Sequence, residues 1–200
     1  KLLWRWAGVG KPERQNNDSC LVTGLDPGRR EYMLYLPLYN GVERVAVGVD
    51  KNAFIAPAPA RRASRRSPIC FYGTSITQGG CASRPGMAYP AIIGRRLDWP
   101  FINLGFSGNG KAEPEMAELL AELDPALYVL DCLTNMDEGS VAERIEFMVK
   151  TLRAGHAQTP IVLVECARRT NAEFVAEKRN IASVRTLAMH EALDRLIAQG

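Results

Sequence analysis

Ile69-Cys70-Phe71-Tyr72-Gly73-Thr74-Ser75-Ile76-Thr77-Gln78-Gly79-Gly80 is the stretch on which the reading of the chain turns. Residues 69–72 have strand character and run into a Gly-Thr-Ser turn, which opens onto a polar, glycine-rich loop. A serine just past the end of a buried strand directs its hydroxyl and its own N–H out of the sheet edge, where open α/β sheets hold their ligands. The spacing is not the G-x-S-x-G of a strained nucleophile elbow, because its fifth position is Thr77. Alone, Gly-Thr-Ser reads equally well as a plain strand-to-helix turn. Its meaning depends on what other strand ends place beside it.

Downstream of this stretch, strands alternate with helices, the pattern of a parallel sheet covered on both faces. Residues 88–97 read as a helix and residues 101–104 as a short strand, which ends in the glycine-rich run of residues 105–110. A helix over 113–122 carries Pro114 in its first turn, where a missing N–H costs nothing. Residues 126–132 form a run that is apolar but for Asp131, as a central parallel strand requires. Ser140 is placed to cap a helix over 141–154. A fourth strand over 161–166 precedes a long helix over 173–198, with Gly200 suited to cap its end.

Upstream the pattern is different. Residues 31–39 and 42–49 are apolar or alternating runs joined by Asn40-Gly41, a strong hairpin signal. Residues 1–66 therefore read as the remnant of a β domain plus a linker, and residues 67–200 as an α/β domain. The boundary is the Ala-Pro repeat of residues 56–60 and the cluster Arg61, Arg62, Arg65, Arg66, which reads as a solvated linker rather than a phosphate-binding patch. Tyr32, Tyr35 and Tyr39 could stack on a sugar, but spacings of three and four in strand-like sequence do not force them onto one face. Their default reading is packing within the β segment.

A net charge of +3 does not suggest a nucleic-acid partner. No apolar run approaches the roughly 20 residues of a membrane span, and the charged start KLLWRWAGVG does not read as a signal peptide. Five cysteines is an odd number, and Cys70, Cys132 and Cys166 fall in expected buried strands, so they read as small apolar packing. With two histidines and no paired-cysteine spacing, a bound metal is not expected.

In a parallel sheet all strand-to-helix loops emerge on one side, so Ser75, the 105–110 loop and Thr134-Asn135 should meet at one rim. Acyl transfer needs a nucleophile and donors for the oxyanion that develops on the attacked carbonyl. The N–H of Ser75, a glycine N–H and the Asn135 carboxamide supply three such donors. Asn135 as a loop-capping amide and Gly108 as a turn glycine are the plainer alternatives.

These blocks resemble those of the SGNH (GDSL-like) hydrolases. GTSITQG resembles the first block, with Ser75 in the nucleophile position. NLGFSGNG resembles the second, with Gly108 as the oxyanion glycine, and LTNM matches the asparagine of the third at Asn135, although Leu133 and Met136 replace its usual glycine and aspartate. The preceding LYLPLYNGV resembles the end of the β-sandwich domain found in one bacterial branch. The resemblance implies a three-layer α/β/α flavodoxin-like fold and cofactor-free hydrolysis of a small-molecule or carbohydrate ester.

The fourth block, Asp-x-x-His, is absent. His156 is expected at the opposite end of the sheet from Ser75, a strand length or about 17–20 Å away. His190 is expected to face solvent, opposite the stripe of Ile181, Val184, Ala188, Ala192 and Leu196. The native chain is therefore expected to continue past Gly200, and the isolated segment to be nearly inactive. Arg84, in the loop after the nucleophile, reads as a substrate contact or, more simply, an exposed arginine.

Two rivals are weighed against this reading. Residues 105–111 fit the G-x-x-x-x-G-K spacing of a phosphate-binding loop, but Ala112 stands where a magnesium-binding hydroxyl belongs. A non-catalytic carbohydrate-binding or scaffold module is the other.

Overall fold

The computed structural model describes residues 3–7, as backbone, and residues 18–199. Gly200, the expected helix cap, lies outside the described residues. A four-stranded parallel sheet dominates, built from β3 (Ile69–Gly73), β4 (Phe101–Gly105), β5 (Leu127–Asp131) and β6 (Ile161–Leu163) in the order β4-β3-β5-β6. β3 is fully buried along its length, as its continuous apolar run requires. Its last residue, Gly73, lies in register with Gly105 on one side and Asp131 on the other.

Side-chain alternation along the strands feeds two cores. Cys70, Tyr72, Tyr128 and Leu130 point to the face covered by α3 (Pro114–Ala121), α4 (Glu138–Gly155) and α5 (Ala176–Gln199). Ile69, Phe71 and Val129 point to the other face, against Tyr89 and Ile93 of α2 (Tyr89–Leu97) and against Trp99. Each large apolar side chain fully buried this way contributes about 2 kcal/mol before conformational entropy is charged against it. This is the three-layer α/β arrangement. The cysteines Cys70, Cys132 and Cys166 are buried and free, and burial pushes the Cys70 and Cys132 thiols up to about 12.

Helix starts follow local chemistry, with one correction. Pro90 and Pro114 sit in the first turns of α2 and α3. Ser140 does not cap α4: the helix begins earlier, at Glu138, and the Asp137 side chain accepts from Ser140 N–H at 2.9 Å. An aspartate outcompetes the serine because its charge also complements the helix dipole. The last helix, expected over 173–198, begins later, at Ala176, after a separate 3-10 turn at Thr170–Glu173.

The expected hairpin about Asn40-Gly41 does not form. β2 (Glu31–Tyr35) pairs in parallel with β1 (Leu3–Ala7), and residues 42–49 are exposed without strand structure. Pro37 cannot donate to a ladder. Beyond it the chain is drawn onto the α/β region, where Leu38 O accepts from Gln78 Nε2 at 2.9 Å. Those contacts outcompete a local turn preference. The arginine cluster is also less solvated than expected: Arg61 and Arg65 both reach Asp98 at the C-terminus of α2, at 3.1 and 3.4 Å, and Arg65 lies over Trp99.

Candidate active site

Ser75 is the first residue of a one-turn helix, α1 (Ser75–Gln78), directly after β3. Thr74 is fully buried and caps that turn, its Oγ1 accepting from Ile76 N–H at 3.2 Å. The Ser75 carbonyl takes both Gly79 N–H and Gly80 N–H, at 3.0 and 2.9 Å, so the turn is held from both ends. Among the described residues nothing hydrogen-bonds the Ser75 hydroxyl, and its N–H precedes the first intrahelical bond.

The loop after β4 is pressed onto the end of β3. Phe106 N–H donates to Gly73 O at 2.8 Å, and Gly110 lies so close that a Cβ there would overlap that same oxygen. The loop after β5 joins in: Asn135 Nδ2 donates to Asn109 O at 2.7 Å, from a 3-10 turn at Leu133–Asn135. An amide nitrogen carries two hydrogens. One is spent in locking the two loops together, and the other has no partner among the described residues. Gly108, at φ +76°, has nothing within 4 Å of where a Cβ would stand, so its peptide borders open space. The structure thus brings the loops of Ser75, Gly108 and Asn135 to one rim.

Two buried polar clusters, neither foreseen from sequence, stiffen this rim. Asp131, at the end of β5, accepts from Thr77 Oγ1 at 3.0 Å and from Tyr89 Oη at 2.9 Å. Burial pushes its carboxyl above the ordinary aspartate range, against the two hydrogen bonds that pull it down. On the other face, Tyr72 Oη donates to Glu113, whose carboxylate also accepts from Lys111 N–H at 2.9 Å, and Ala112 N–H donates to Tyr72 Oη at 3.1 Å. Burial raises the Glu113 carboxyl, but these hydrogen bonds outweigh it and hold it below its ordinary value. The phosphate-loop reading of residues 105–111 therefore loses its donor: a carboxylate already occupies the Lys111 N–H.

Asp131→Ala removes the acceptor for two buried hydroxyls and is expected to cost about 1–3 kcal/mol, read from the urea midpoint. Asp131→Asn should cost less and change the pH profile. A folded-state pKa raised above the unfolded value of about 3.9 means that the native protein binds the proton more tightly. Wild-type stability from this group then falls as pH rises from about 4 through the raised value, and the asparagine variant should lack that slope.

Neither histidine reaches Ser75. His156 ends α4 at the far end of the sheet, its Nε2 2.9 Å from Ala121 O and its ring against Tyr128. His190 is exposed on α5 and pairs with Glu165 at 3.1 Å, beyond edge strand β6, which lies two strands from β3. Arg84 is exposed and its Nη1 donates to Ser83 Oγ at 3.3 Å. Among the described residues no group of three or more histidine, cysteine or acidic side chains is arranged to hold a metal, and no helix is long and apolar enough to cross a membrane.

A parallel sheet covered on both faces by helices, with a serine in the first turn after an inner strand, makes this a three-layer α/β domain, and the chain belongs to the GDSL-like lipase/acylhydrolase family, whose model matches residues 66–200. Residues 1–55 match a second model, the N-terminus of SGNH-hydrolase-type esterases. Among solved structures, a Bacteroides ovatus ATCC 8483 protein described as a GDSL-like lipase is 38% identical, with a TM-score of 0.76, over 82% of this chain and 48% of its own. The salicylyl-acyltransferase SsfX3 of a tetracycline biosynthetic pathway is 22% identical with a TM-score of 0.59, over 70% of this chain and 42% of its own. A Corynascus carbohydrate esterase of family two with a carbohydrate-binding domain is 16% identical with a TM-score of 0.52, over 73% and 57%. The last two share the fold. The chain spans about half the length of these structures. No curated protein sequence matches it.

Proposed function

We propose that this chain carries the nucleophile and oxyanion hole of a serine-dependent ester hydrolase acting on a small-molecule or carbohydrate ester. The observation that carries the reading is the lock between three strand-end loops at one rim, made by Phe106 N–H on Gly73 O and Asn135 Nδ2 on Asn109 O. In this reading Ser75 Oγ attacks the acyl carbonyl and gives its proton to a base. The oxyanion is held by Ser75 N–H, Gly108 N–H and the unspent Asn135 amide hydrogen. Water then attacks the acyl-enzyme, the alcohol having left with the proton. Each donor in such a hole is worth roughly 3–4 kcal/mol of barrier.

The base is supplied from outside residues 1–200, since both histidines are engaged elsewhere. A serine hydroxyl without a base is a weak nucleophile near neutral pH. The test is covalent: an alkyl fluorophosphonate is incubated with the full-length gene product and, separately, with residues 1–200, and the modified residue is located by mass spectrometry. Rapid labelling of Ser75 in the full-length protein and slow labelling in the shorter chain is the expected result. An unlabelled Ser75 in the full-length protein overturns the reading, and equal rates in both overturn the placement of the base.

A further inference from the structure

The segment that precedes the α/β region comes to the rim. Leu38 O is held by Gln78 Nε2, which sets the next residue, Tyr39, over the loop that follows Ser75. Tyr39 Oη donates to Ser107 Oγ at 3.4 Å, one residue before Gly108. On its other side, a Cβ on Gly80 would overlap Tyr39 Oη while standing 3.4 Å from the Ser75 carbonyl oxygen. The hydroxyl is therefore wedged between the nucleophile loop and the loop that carries Gly108, and only a glycine at position 80 leaves it room.

The ring itself is not packed away. Tyr39 is 58% exposed, although its hydroxyl is anchored. Tyr35, four residues earlier, behaves differently: its ring stacks under the Arg95 guanidinium and its hydroxyl accepts from Arg95 at 3.2 Å. The cation–π contact thus explains Tyr35, whereas the Tyr39 ring has no aromatic or cation–π partner among the described residues.

We propose that Tyr39 is a substrate-contact residue of this site, its ring supplying a flat apolar face to the alcohol portion of the ester and favouring alcohols that are themselves rings, pyranose or aryl. Stacking suits both, because each presents a flat face of C–H or π character. The anchored hydroxyl fixes the ring before the substrate arrives, so little side-chain entropy is lost on binding. The assignment rests on the reading of Ser75 as nucleophile, since it makes this rim the place where the ester sits.

The test reads binding, so that it does not depend on turnover. In full-length protein carrying Ser75→Ala, dissociation constants for an acetylated methyl xylopyranoside, phenyl acetate and ring-free ethyl acetate are measured by NMR titration, with and without changes at Tyr39. Tyr39→Ala is expected to reduce the preference for a ring-bearing ester over ethyl acetate by about fivefold, and Tyr39→Phe to keep it within about twofold. Loss confined to the pyranoside identifies a sugar alcohol, and loss confined to phenyl acetate an aryl one. A preference for neither ring changed by Tyr39→Ala overturns the proposal. Tyr39→Leu, which keeps apolar bulk without a ring, gives the same comparison if the alanine variant does not fold. An unlabelled Ser75 in the phosphonate experiment overturns the hydrolase reading instead, so the two failures are told apart.

Discussion

Ser75→Ala is expected to lower kcat/KM for p-nitrophenyl acetate in the full-length gene product by about 10⁴-fold or more, with an unchanged urea midpoint. In the proposed mechanism the loss follows from chemistry: without the hydroxyl no acyl-enzyme forms, and what remains is direct attack by water on a carbonyl polarised by the proposed oxyanion donors. The unchanged stability follows from structure. The hydroxyl is free of hydrogen bonds among the described residues, and alanine suits the first position of α1 at least as well as serine. Asn135→Ala provides the internal comparison. It removes one donor, worth about 10²–10³-fold, and should also loosen the loop that its other hydrogen holds to Asn109. A Ser75→Ala protein that kept a tenth of the wild-type rate would show that the ester is cleaved elsewhere.

The parts of the site set by strand ends could be read from the chain, and the parts set by packing between distant residues could not. Ser75, Gly108 and Asn135 each follow a recognisable apolar run, and parallel topology alone sends those three ends to one rim. The same rule correctly sends His156 to the other end. Asp131 reads as the last residue of a strand; nothing in its neighbours announces that Thr77 and Tyr89, 54 and 42 residues away in the chain, will bring it hydroxyls. Tyr72 and Glu113 are hidden from local patterns in the same way. Asn40-Gly41 misleads because a turn preference of order 1 kcal/mol yields to the docking of Leu38 on α1 and of Tyr39 on the loop after β4. That docking also moves Tyr39 from the packing role its sequence suggests to the edge of the site.

Gly110→Ala is expected to cost roughly 3–5 kcal/mol, a large part of the 5–15 kcal/mol by which a domain of this kind is stable, and to leave the protein largely insoluble. The backbone at Gly110 is left-handed, φ +67°, a region that costs a residue with a Cβ about 1–2 kcal/mol. The rest is collision: the new Cβ would stand 2.6 Å from Gly73 C and 3.1 Å from Thr74 N, and would overlap Gly73 O. None of these atoms can retreat. Gly73 is hydrogen-bonded into the sheet between β4 and β5, and its oxygen already takes Phe106 N–H. Gly108→Ala, two residues away, makes the opposite case. Its φ of +76° carries the same backbone strain, yet a Cβ there meets nothing within 4 Å, so stability should fall by only about 1–2 kcal/mol. In the proposed mechanism the acyl oxygen approaches Gly108 N–H, so a methyl group on that exposed loop should be felt in kcat rather than in the urea midpoint. Measured together, the pair separates the observed duty of the loop from the proposed one: Gly110 closes it onto β3, and in the proposed mechanism Gly108 presents its N–H to the substrate. A Gly110→Ala protein with the wild-type midpoint would mean that the loop slides freely over the strand end, which would undo the rigid oxyanion hole as well.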